Sequence, residues 1–338
     1  MALTTMPVQL AIPVTEQSQT AAARRTAVRL GQEAGLDEAG TANLALVVTE
    51  LATNLLKHAD RGELLMRRLG AEGKDGVEIL SLDKGPGIPD VVRALCDGYS
   101  TAGSSGTGLG AVMRTASAFD LYSQPGEGTA LVARLFAEPA KGWRSAQSVG
   151  IVRQAKAGEA LSGDDWIVQT FAGGWLCAVA DGLGHGPLAA AASASIMEAL
   201  LDAHGKHAPV ELVEAAHRAA KPTRGAAFGV AVKDEKMGML RFAGIGNIAG
   251  MVLEGARRMP LISHNGILGH DDRKATEFSH PWSRDAVLVM HSDGIGSQWD
   301  LGRYPGLLSR DPSLIAAVLY RDFGRGRDDA TVVVVKEC

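Results

Sequence analysis

Four aspartates in this chain have the residue type and spacing for metal chemistry. Each stands beside a glycine or at the edge of an apolar run: Asp164 in SGDDW, Asp181 in VADGLGHG, Asp293 in HSDGIGS and Asp328 in RDDATVVVV. A hard divalent cation takes several oxygen ligands, and a glycine next to a short acidic residue lets a main-chain carbonyl join the coordination. Two such cations about 4 Å apart can generate hydroxide and hold the oxygens of an in-line displacement. The four residues therefore predict a two-metal site for phosphate ester hydrolysis.

The order of these motifs carries more information than any one of them, because Asp-Gly alone is a common turn dipeptide. Gly-Asp, Asp-Gly-x-Gly-His-Gly, Ser-Asp-Gly and Asp-Asp-Ala-Thr follow one another along the second half. This series resembles the PPM (type 2C) metal-dependent protein phosphatases, in particular their SpoIIE-like (RsbX-like) branch. The resemblance implies that catalytic Asp181, with the carbonyl of Gly182, bridges two Mn²⁺ or Mg²⁺ ions, and that Asp293 and Asp328 ligate one of them. Asp164 matches the Gly-Asp element, as a ligand either directly or through water.

Several neighbours of these motifs have a simpler interpretation. Asp165 and Asp329 adjoin two of the aspartates, and we interpret them as solvated turn residues. His185 follows Asp181 closely enough to approach phosphate or a metal-bound water, although histidines on loops are more often surface residues. We expect Arg224, Arg241 and Arg327 to be solvated surface residues, although each could bind substrate phosphate.

A second set of polar residues lies in the first half of the chain. In ELATNLLKHA, Glu50 and Asn54 are four residues apart, so a helix presents both on one face. Asp83 ends an apolar strand-like run, and Thr129 lies in the later run GEGTALVARL. Glycines follow in two loops, at Gly85 and Gly87 in DKGPGIP and at Gly106, Gly108 and Gly110 in SSGTGLG. Such glycines let backbone amides approach phosphates at a helix start, where the helix dipole favours negative charge.

These motifs, in this order, resemble the GHKL ATPase superfamily. The resemblance implies that Asn54 holds Mg²⁺ against the phosphates of ATP and that Asp83 accepts a hydrogen bond from the adenine amino group. It places Gly106–Gly110 in the ATP lid and Thr129 near adenine. Glu50 matches the position that acts as general base in the serine kinases of the superfamily.

The branch of the superfamily is indicated by what the sequence lacks. Histidine kinases need a phosphoacceptor histidine on a helical hairpin ahead of the ATP-binding domain, but few residues precede the first predicted strand. Gyrase-type ATPases need large transducer domains. We therefore expect the compact, RsbT-like serine/threonine kinase type, similar to anti-sigma factors. The resemblance implies a small partner of the STAS (anti-sigma antagonist) type.

Composition excludes several other classes of function. The formal net charge of -4 and a pI near 6.2 give no reason to expect a nucleic-acid partner. Three cysteines without a Cys-x-x-Cys pair argue against a disulfide framework and against a zinc site. No run approaches the roughly 20 apolar residues of a spanning helix. We expect a cytoplasmic protein without a membrane segment.

Two domains are expected for a chain of 338 residues. The proline and glycine stretch at residues 138–146 predicts a linker between a GHKL domain, residues 1–137, and a PPM domain, residues 147–338. The predicted fold class is α+β, a Bergerat-type α/β sandwich followed by an α-β-β-α sandwich. In the first domain we predict helices over residues 16–34, 38–58 and 109–119, packed on a mixed sheet, with Asp37 capping the second helix.

The leading hypothesis is a bifunctional signalling protein. One half would bind ATP and phosphorylate a STAS-type partner, and the other would remove phosphate from serine or threonine. An alternative is a nucleotide-dependent sequestering protein with phosphatase activity only. A third possibility is that the phosphatase half is a degenerate scaffold.

Overall fold

Two units share the chain, and each takes a segment from the far end of the sequence. We call residues 9–143 with residues 303–321 the amino-terminal unit, and the remainder the carboxy-terminal unit. A computed structural model describes residues 2–3, 9–59, 62–70, 75–96, 108–138, 147–203, 208–270 and 275–337. The units depart from the predicted domains at residues 2–3 and 303–321, which pack with the opposite half of the sequence. The linker over residues 138–146 stays a prediction, because residues 139–146 lie outside the described part.

The amino-terminal unit is one five-stranded sheet with helices. The short strand β1 (Ala2–Leu3) precedes it and belongs to the other unit. The elements that follow are β2 (Leu10–Val14), α1 (Gln17–Glu33), α2 (Glu38–His58), β3 (Gly62–Leu69), β4 (Gly76–Asp83), α3 (Val91–Ala94), α4 (Gly108–Thr115), β5 (Ala118–Gln124) and β6 (Gly128–Phe136). The strand order is β2-β3-β4-β6-β5, and every pair is antiparallel, so the expectation of a mixed sheet was wrong.

All three helices predicted for this unit are present, α1 is one residue shorter at each end than predicted, and the short helix α3 was not predicted. α2 has the predicted bounds, and the Asp37 side chain caps it by accepting a hydrogen bond from the Gly40 amide at 2.7 Å. The helix predicted over residues 109–119 ends at Thr115 instead. Its last two predicted residues lie in β5, because Phe119 and Leu121 alternate with Asp120 in the two-residue repeat of a strand.

The carboxy-terminal half of the sequence forms two antiparallel sheets with helices. Its elements are β7 (Gln147–Gln154), β8 (Asp164–Phe171), β9 (Gly174–Gly182), α5 (Pro187–Leu201), α6 (Pro209–Ala220), β10 (Ala226–Asp234), β11 (Met239–Ile245), β12 (Ala249–Glu254), β13 (Arg257–Leu261), β14 (Phe278–Pro281), β15 (Val287–His291), α7 (Pro312–Phe323) and β16 (Ala330–Glu337). The sheet orders are β1-β8-β9-β10-β11-β14 and β13-β12-β15-β16-β7, and α5 and α6 pack on the first sheet. The α+β class is confirmed, whereas β11–β14 had not been predicted.

The core of the amino-terminal unit lies between its sheet and the two long helices. Val48, Leu51 and Leu55 of α2 are buried there with Leu64 and Ile79 of the sheet. α2 is also long and apolar enough to cross a membrane, which the sequence analysis had not anticipated. Core helices of globular proteins can have the same length and apolar composition, and one face of α2 is buried in the core of this unit.

The other face of this sheet carries a row of three charges. Arg67, Glu78 and Arg134 stand directly opposite one another on β3, β4 and β6. The Glu78 carboxylate accepts a hydrogen bond from the Nε of each arginine at 2.7 Å. Burial alone would raise the pKa of Glu78, but the two guanidinium groups lower it to about 2. A carboxylate so deeply buried depends on paired cations of this kind.

The segment 303–321 completes this ionic row. The Asp311 carboxylate accepts two hydrogen bonds from the Arg134 guanidinium, at 2.6 and 2.8 Å. The Ser313 hydroxyl donates to Glu78 at 3.0 Å and lies 2.9 Å from Nη2 of Arg134. Residues 312–319 of α7 are all buried. The segment therefore supplies partners that these charges require, which explains why it packs with the amino-terminal unit.

Substituting Asp311 should show how much the unit depends on the segment. Asp311→Ala would remove two charge-assisted bonds from the buried Arg134 guanidinium and should lower the free energy of unfolding by about 2–4 kcal/mol. The measurement is urea unfolding. Asp300→Ala is the matched control, because Asp300 pairs with Arg258 at 2.9 Å in an exposed position and should change stability by less than about 1 kcal/mol. Equal effects of the two substitutions would contradict the assignment.

Candidate functional sites

The amino-terminal unit contains a cavity of about 200 Å³ beside α2. Its walls come from α2, the loop after β4, the start of α4 and β6. Five residues of the predicted nucleotide site line it: Asn54, Asp83, Gly87, Gly108 and Thr129. Of the other predicted residues, Gly110 is buried within α4 and Gly106 lies outside the described residues.

Asp83 and Thr129 are tied together in one wall of this cavity. Oδ1 of Asp83 accepts hydrogen bonds from the amides of Gly85 at 2.8 Å and Thr129 at 3.2 Å. Burial raises the pKa of Asp83, and the two amides oppose that shift. The Thr129 hydroxyl lies 2.9 Å from that of Ser123, which also accepts from the Ile88 amide at 2.8 Å. The carboxylate and the hydroxyl therefore have fixed positions.

The glycines after Asp83 allow close packing of the backbone. A Cβ on Gly85 would lie 2.4 Å from the carbonyl oxygen of His58. Gly87 has a φ of +72°, and a Cβ there would lie 2.2 Å from the carbonyl oxygen of Gln124. Any larger residue would push the loop away from its neighbours, so these positions need glycine for the shape of the wall. The approach of their amides to phosphate stays a prediction.

Glu50 and Asn54 face the first residue of α4. A Cβ on Gly108 would lie 2.8 Å from Oε2 of Glu50 and 3.6 Å from Oδ1 of Asn54. In the described part of the chain, Nδ2 of Asn54 is buried without a hydrogen-bond partner. An orphaned buried amide on a cavity wall is a group that a polar ligand would satisfy. This fits the role in holding ATP and Mg²⁺ that the resemblance implies for Asn54.

A second cavity, of about 420 Å³, lies in the carboxy-terminal unit. Asp181, Asp293 and Asp328 line it together, although more than a hundred residues separate the first from the others. Asp181 precedes the last residue of β9, Asp293 follows β15 closely, and Asp328 stands just before β16. Gly182, the last residue of β9, packs so closely that a Cβ would lie 2.1 Å from the carbonyl oxygen of Ala189.

The fourth aspartate, Asp164, lies behind this group. It stands opposite Asp181 in the pairing of β8 with β9 and has no solvent exposure. Its Oδ2 accepts a 2.6 Å hydrogen bond from the Ser292 hydroxyl. Its Oδ1 is buried and has no hydrogen-bond partner among the described residues. Burial, with the nearby charge of Asp329, raises the pKa of Asp164 to about 7.

The charges of neighbouring carboxylates help to raise the pKa of Asp181 and of Asp293. Burial, together with the charges of Asp164, Asp293 and Asp328, raises the pKa of Asp181 to about 9. The pKa of Asp293 is raised by burial and by the charge of Asp328. Oδ2 of Asp293 accepts a hydrogen bond from the Asn247 side-chain amide at 2.7 Å. Such mutual repulsion in a buried site is the condition that a bound cation would relieve.

The donor set suits Mg²⁺ or Mn²⁺, which prefer carboxylate and carbonyl oxygens. The unpaired Oδ1 of Asp164 and the clustered charges around Asp181 support that fit. However, over the described ranges no three His, Cys, Asp or Glu side chains approach closely enough to form a ready-made metal cluster. The aspartates thus share a cavity without meeting around one point.

Two neighbours of this site differ from the sequence analysis. Asp165 and Asp329 were interpreted as solvated turn residues, but only 4% and 3% of their surfaces are exposed. Asp165 forms a 3.1 Å ion pair with Arg153. Asp329 accepts hydrogen bonds from the amides of Lys156 at 2.8 Å and Gly163 at 2.9 Å. Asp329 therefore fixes the loop that leads to Asp164, a role that no local pattern indicates.

His185 has the surface position that is usual for a loop histidine. It is exposed, and its Nδ1 lies 2.6 Å from Oε1 of Glu159. Ser292 and Asn247 were not predicted as site residues, although both stand inside the glycine-rich motifs HSDGIGS and GIGN. Their position in or beside a candidate ligand motif was the signal that could have identified them as site residues.

Comparisons with known proteins identify both halves of the chain. The model of the histidine kinase-like ATPase domain family matches residues 13–135, and that of the stage II sporulation protein E (SpoIIE) family matches residues 172–337. The serine/threonine-protein kinase RsbT of Bacillus subtilis is 37% identical over 112 residues, which are 33% of this chain and 84% of RsbT. The chain is a fusion of these two families.

Two further relatives belong to the same comparison. The phosphoserine phosphatase RsbX of Bacillus subtilis is 25% identical over 142 residues, 41% of this chain and 70% of RsbX. A solved structure described as part of the bacterial stressosome aligns with a TM-score of 0.53 and 27% identity, over 57% of this chain and 100% of its own. The fusion therefore joins a kinase-like ATPase domain to a PP2C-type phosphatase domain.

Loss of charge at Asp329 of the phosphatase domain should lower stability, whereas loss of charge at Asp328 should not. Asp329→Asn removes an acceptor from one of the two backbone amides that Asp329 binds and should lower the free energy of unfolding by about 1–3 kcal/mol. Asp328→Asn is the control, because Asp328 is exposed and repels Asp293, so stability should stay equal or increase slightly. Thermal and urea unfolding without metal measure both variants. Destabilisation by Asp328→Asn alone would contradict the role of Asp329.

The metal-free fusion protein should lose stability as pH rises. Asp164 and Asp181 have folded-state pKa values near 7 and 9, above the ordinary value of 3.8. The folded state therefore binds more protons, and its extra stability, complete below about pH 4, is lost as the pH rises through these values. Urea unfolding in a chelator should show the decrease, and Asp164→Asn should reduce its slope. Stability that rises over this range would contradict the crowding of the carboxylates.

Proposed function

We propose that the chain carries out both directions of a protein phosphorylation switch. The phosphatase domain would hydrolyse phosphoserine or phosphothreonine, and the kinase-like domain would transfer phosphate from ATP. The observation that carries the proposal is the shared cavity of Asp181, Asp293 and Asp328. Bound cations would relieve the repulsion between these carboxylates, whereas a purely structural role gives no reason to bring them together.

In the phosphatase domain, each aspartate has a distinct role in the proposed site. Asp181 and the Gly182 carbonyl, together with Asp293 and Asp328, would hold two divalent ions. Bound Mn²⁺ or Mg²⁺ would supply hydroxide near neutral pH and neutralise charge on the phosphate. The Asn247 amide holds Asp293, and the Ser292 hydroxyl holds Asp164 behind Asp181. These neutral donors orient the carboxylates without cancelling their charge.

In the kinase-like domain, the cavity beside α2 would hold ATP. Asp83 and Thr129 would bind adenine from the wall that their mutual hydrogen bond fixes. Asn54 would hold Mg²⁺ against the phosphates, and Gly106–Gly110 would belong to the ATP lid. Glu50 would accept the proton of the substrate hydroxyl.

The partner would be a small STAS-type protein in the cytoplasm. Similarity to the kinase RsbT and to the phosphoserine phosphatase RsbX supports a substrate that carries phosphate on a hydroxyl side chain. A phosphoserine or phosphothreonine on one such partner would suit both domains of the chain. The kinase-like domain would add this phosphate to the partner, and the phosphatase domain would remove it.

A second candidate for the amino-terminal unit is nucleotide-dependent capture of a partner without transfer. Asn54 lies on the cavity wall, whereas Glu50 lies one helical turn earlier and beside Gly108. A base that contacts the start of α4 could order that helix instead of taking a proton. In this case ATP would control sequestration, and the chain would be an enzyme only through its phosphatase domain.

Loss of Asp181 tests the phosphatase. With Mn²⁺, the purified protein should hydrolyse p-nitrophenyl phosphate, and Asp181→Asn should lower kcat/KM more than about a hundredfold because a bridging ligand is lost. Asp285→Asn, at an exposed turn between strands, is the control and should retain full activity. Activity unchanged in Asp181→Asn would refute the assignment, and no activity in the unaltered protein would favour a degenerate scaffold.

Labelled ATP tests the kinase-like domain. Asp83→Asn should weaken ATP binding by about tenfold or more, because the adenine amino group would lose a charged acceptor. Glu50→Gln should retain binding but lose transfer of label to serine or threonine of a STAS-type protein. Glu33→Gln, exposed on α1, is the control. Binding without transfer in the unaltered protein would support sequestration instead.

A further inference from the structure

Two exposed aliphatic side chains stand on the wall of the carboxylate cavity. Leu183 is 40% exposed and Ile267 is 37% exposed, and both line the cavity with Asp181, Asp293 and Asp328. Exposed leucines are common on protein surfaces and need no explanation singly. A pair beside a cluster of carboxylates is different, because neither a divalent ion nor a phosphate group makes use of an apolar contact.

The backbone fixes this pair in place. The Leu183 amide donates to the carbonyl of Gly225 at 3.0 Å. Leu268, next to Ile267, exchanges two backbone hydrogen bonds with Ala226, at 2.9 and 3.2 Å. Gly225 has a φ of +82°, and a Cβ there would lie 2.7 Å from Cγ2 of Ile267. Both side chains are thus anchored to the same short segment, and Leu183 is two residues from Asp181.

A cation lies beside the pair. Arg224, the residue before Gly225, is exposed. Its Nη1 would lie 3.3 Å from a Cβ on Gly184, which itself lines the cavity. The carbonyl oxygen of Arg224 lies 3.1 Å from Nε2 of His270, so that its backbone is held. The mouth of the acidic cavity therefore combines an aliphatic pair with a positive charge.

We propose that Leu183, Ile267 and Arg224 form a docking surface for the polypeptide around the phosphorylated residue. The surface takes a phosphoserine or phosphothreonine segment that has a bulky aliphatic residue beside the phosphorylated one and an acidic residue nearby. The aliphatic side chain covers Leu183 and Ile267, and the acidic one faces Arg224. This inference rests on the proposed phosphatase function and specifies its substrate class.

Matched phosphopeptides test the docking surface. Two peptides differ only in leucine or glycine beside the phosphoserine, and kcat/KM is measured for each with the full chain and Mn²⁺. The leucine peptide should be preferred about tenfold, the ratio that corresponds to about 1.4 kcal/mol. In Leu183→Ala/Ile267→Ala the ratio should fall to about one, because the apolar contact is gone. Met237→Ala, at a 65% exposed site in the turn between β10 and β11, is the control and should keep the ratio.

A second pair of peptides tests the charge. They differ in glutamate or glutamine near the phosphoserine, and Arg224→Gln should remove the preference for glutamate. Equal kcat/KM values of the unaltered protein for the leucine and glycine peptides would overturn the docking surface. A preference for the leucine peptide that survives in the double variant would also overturn it. If p-nitrophenyl phosphate is hydrolysed in those cases, the proposed phosphatase function stands. Failure to hydrolyse any of these esters would overturn both.

Discussion

Repulsion between carboxylates is the constraint on which the carboxy-terminal unit depends. The charges of Asp164, Asp293 and Asp328 do not stabilise the ionised form of Asp181, because each of them raises its pKa. The fold holds them together nonetheless, through the pairing of β8 with β9 and the adjacent strands β15 and β16. Energy stored in this way favours any ligand that brings positive charge.

The surrounding hydrogen bonds keep that repulsion intact. The donors to these acidic groups are a serine hydroxyl for Asp164, an asparagine amide for Asp293 and two backbone amides for Asp329. Neutral donors set the direction of an oxygen atom but leave its charge available. The amino-terminal cavity uses the same principle, because backbone amides of Gly85 and Thr129 orient Asp83. Both sites are therefore organised before a ligand arrives.

The sequence predicted what local pattern determines. The bounds of α2 and its Asp37 cap follow from helical periodicity and capping chemistry, and the ordered glycine and aspartate motifs indicated both families. The burial of Asp165 and Asp329 could not be predicted in this way. Asp165 forms an ion pair with Arg153, and Asp329 binds an amide of a loop that is more than 160 residues away in the sequence. The row of Arg67, Glu78 and Arg134 escaped notice for the same reason, since only strand register places the three side by side.

The position of residues 303–321 limits how the two halves could ever be separated. A cut at the linker would leave the amino-terminal sheet without Asp311 and Ser313, and its buried arginine would lose half of its carboxylate partners. Recombination that shuffled the ATPase domain as a continuous stretch of sequence would meet the same difficulty. The gene therefore encodes two modules that must be inherited, expressed and engineered as one piece.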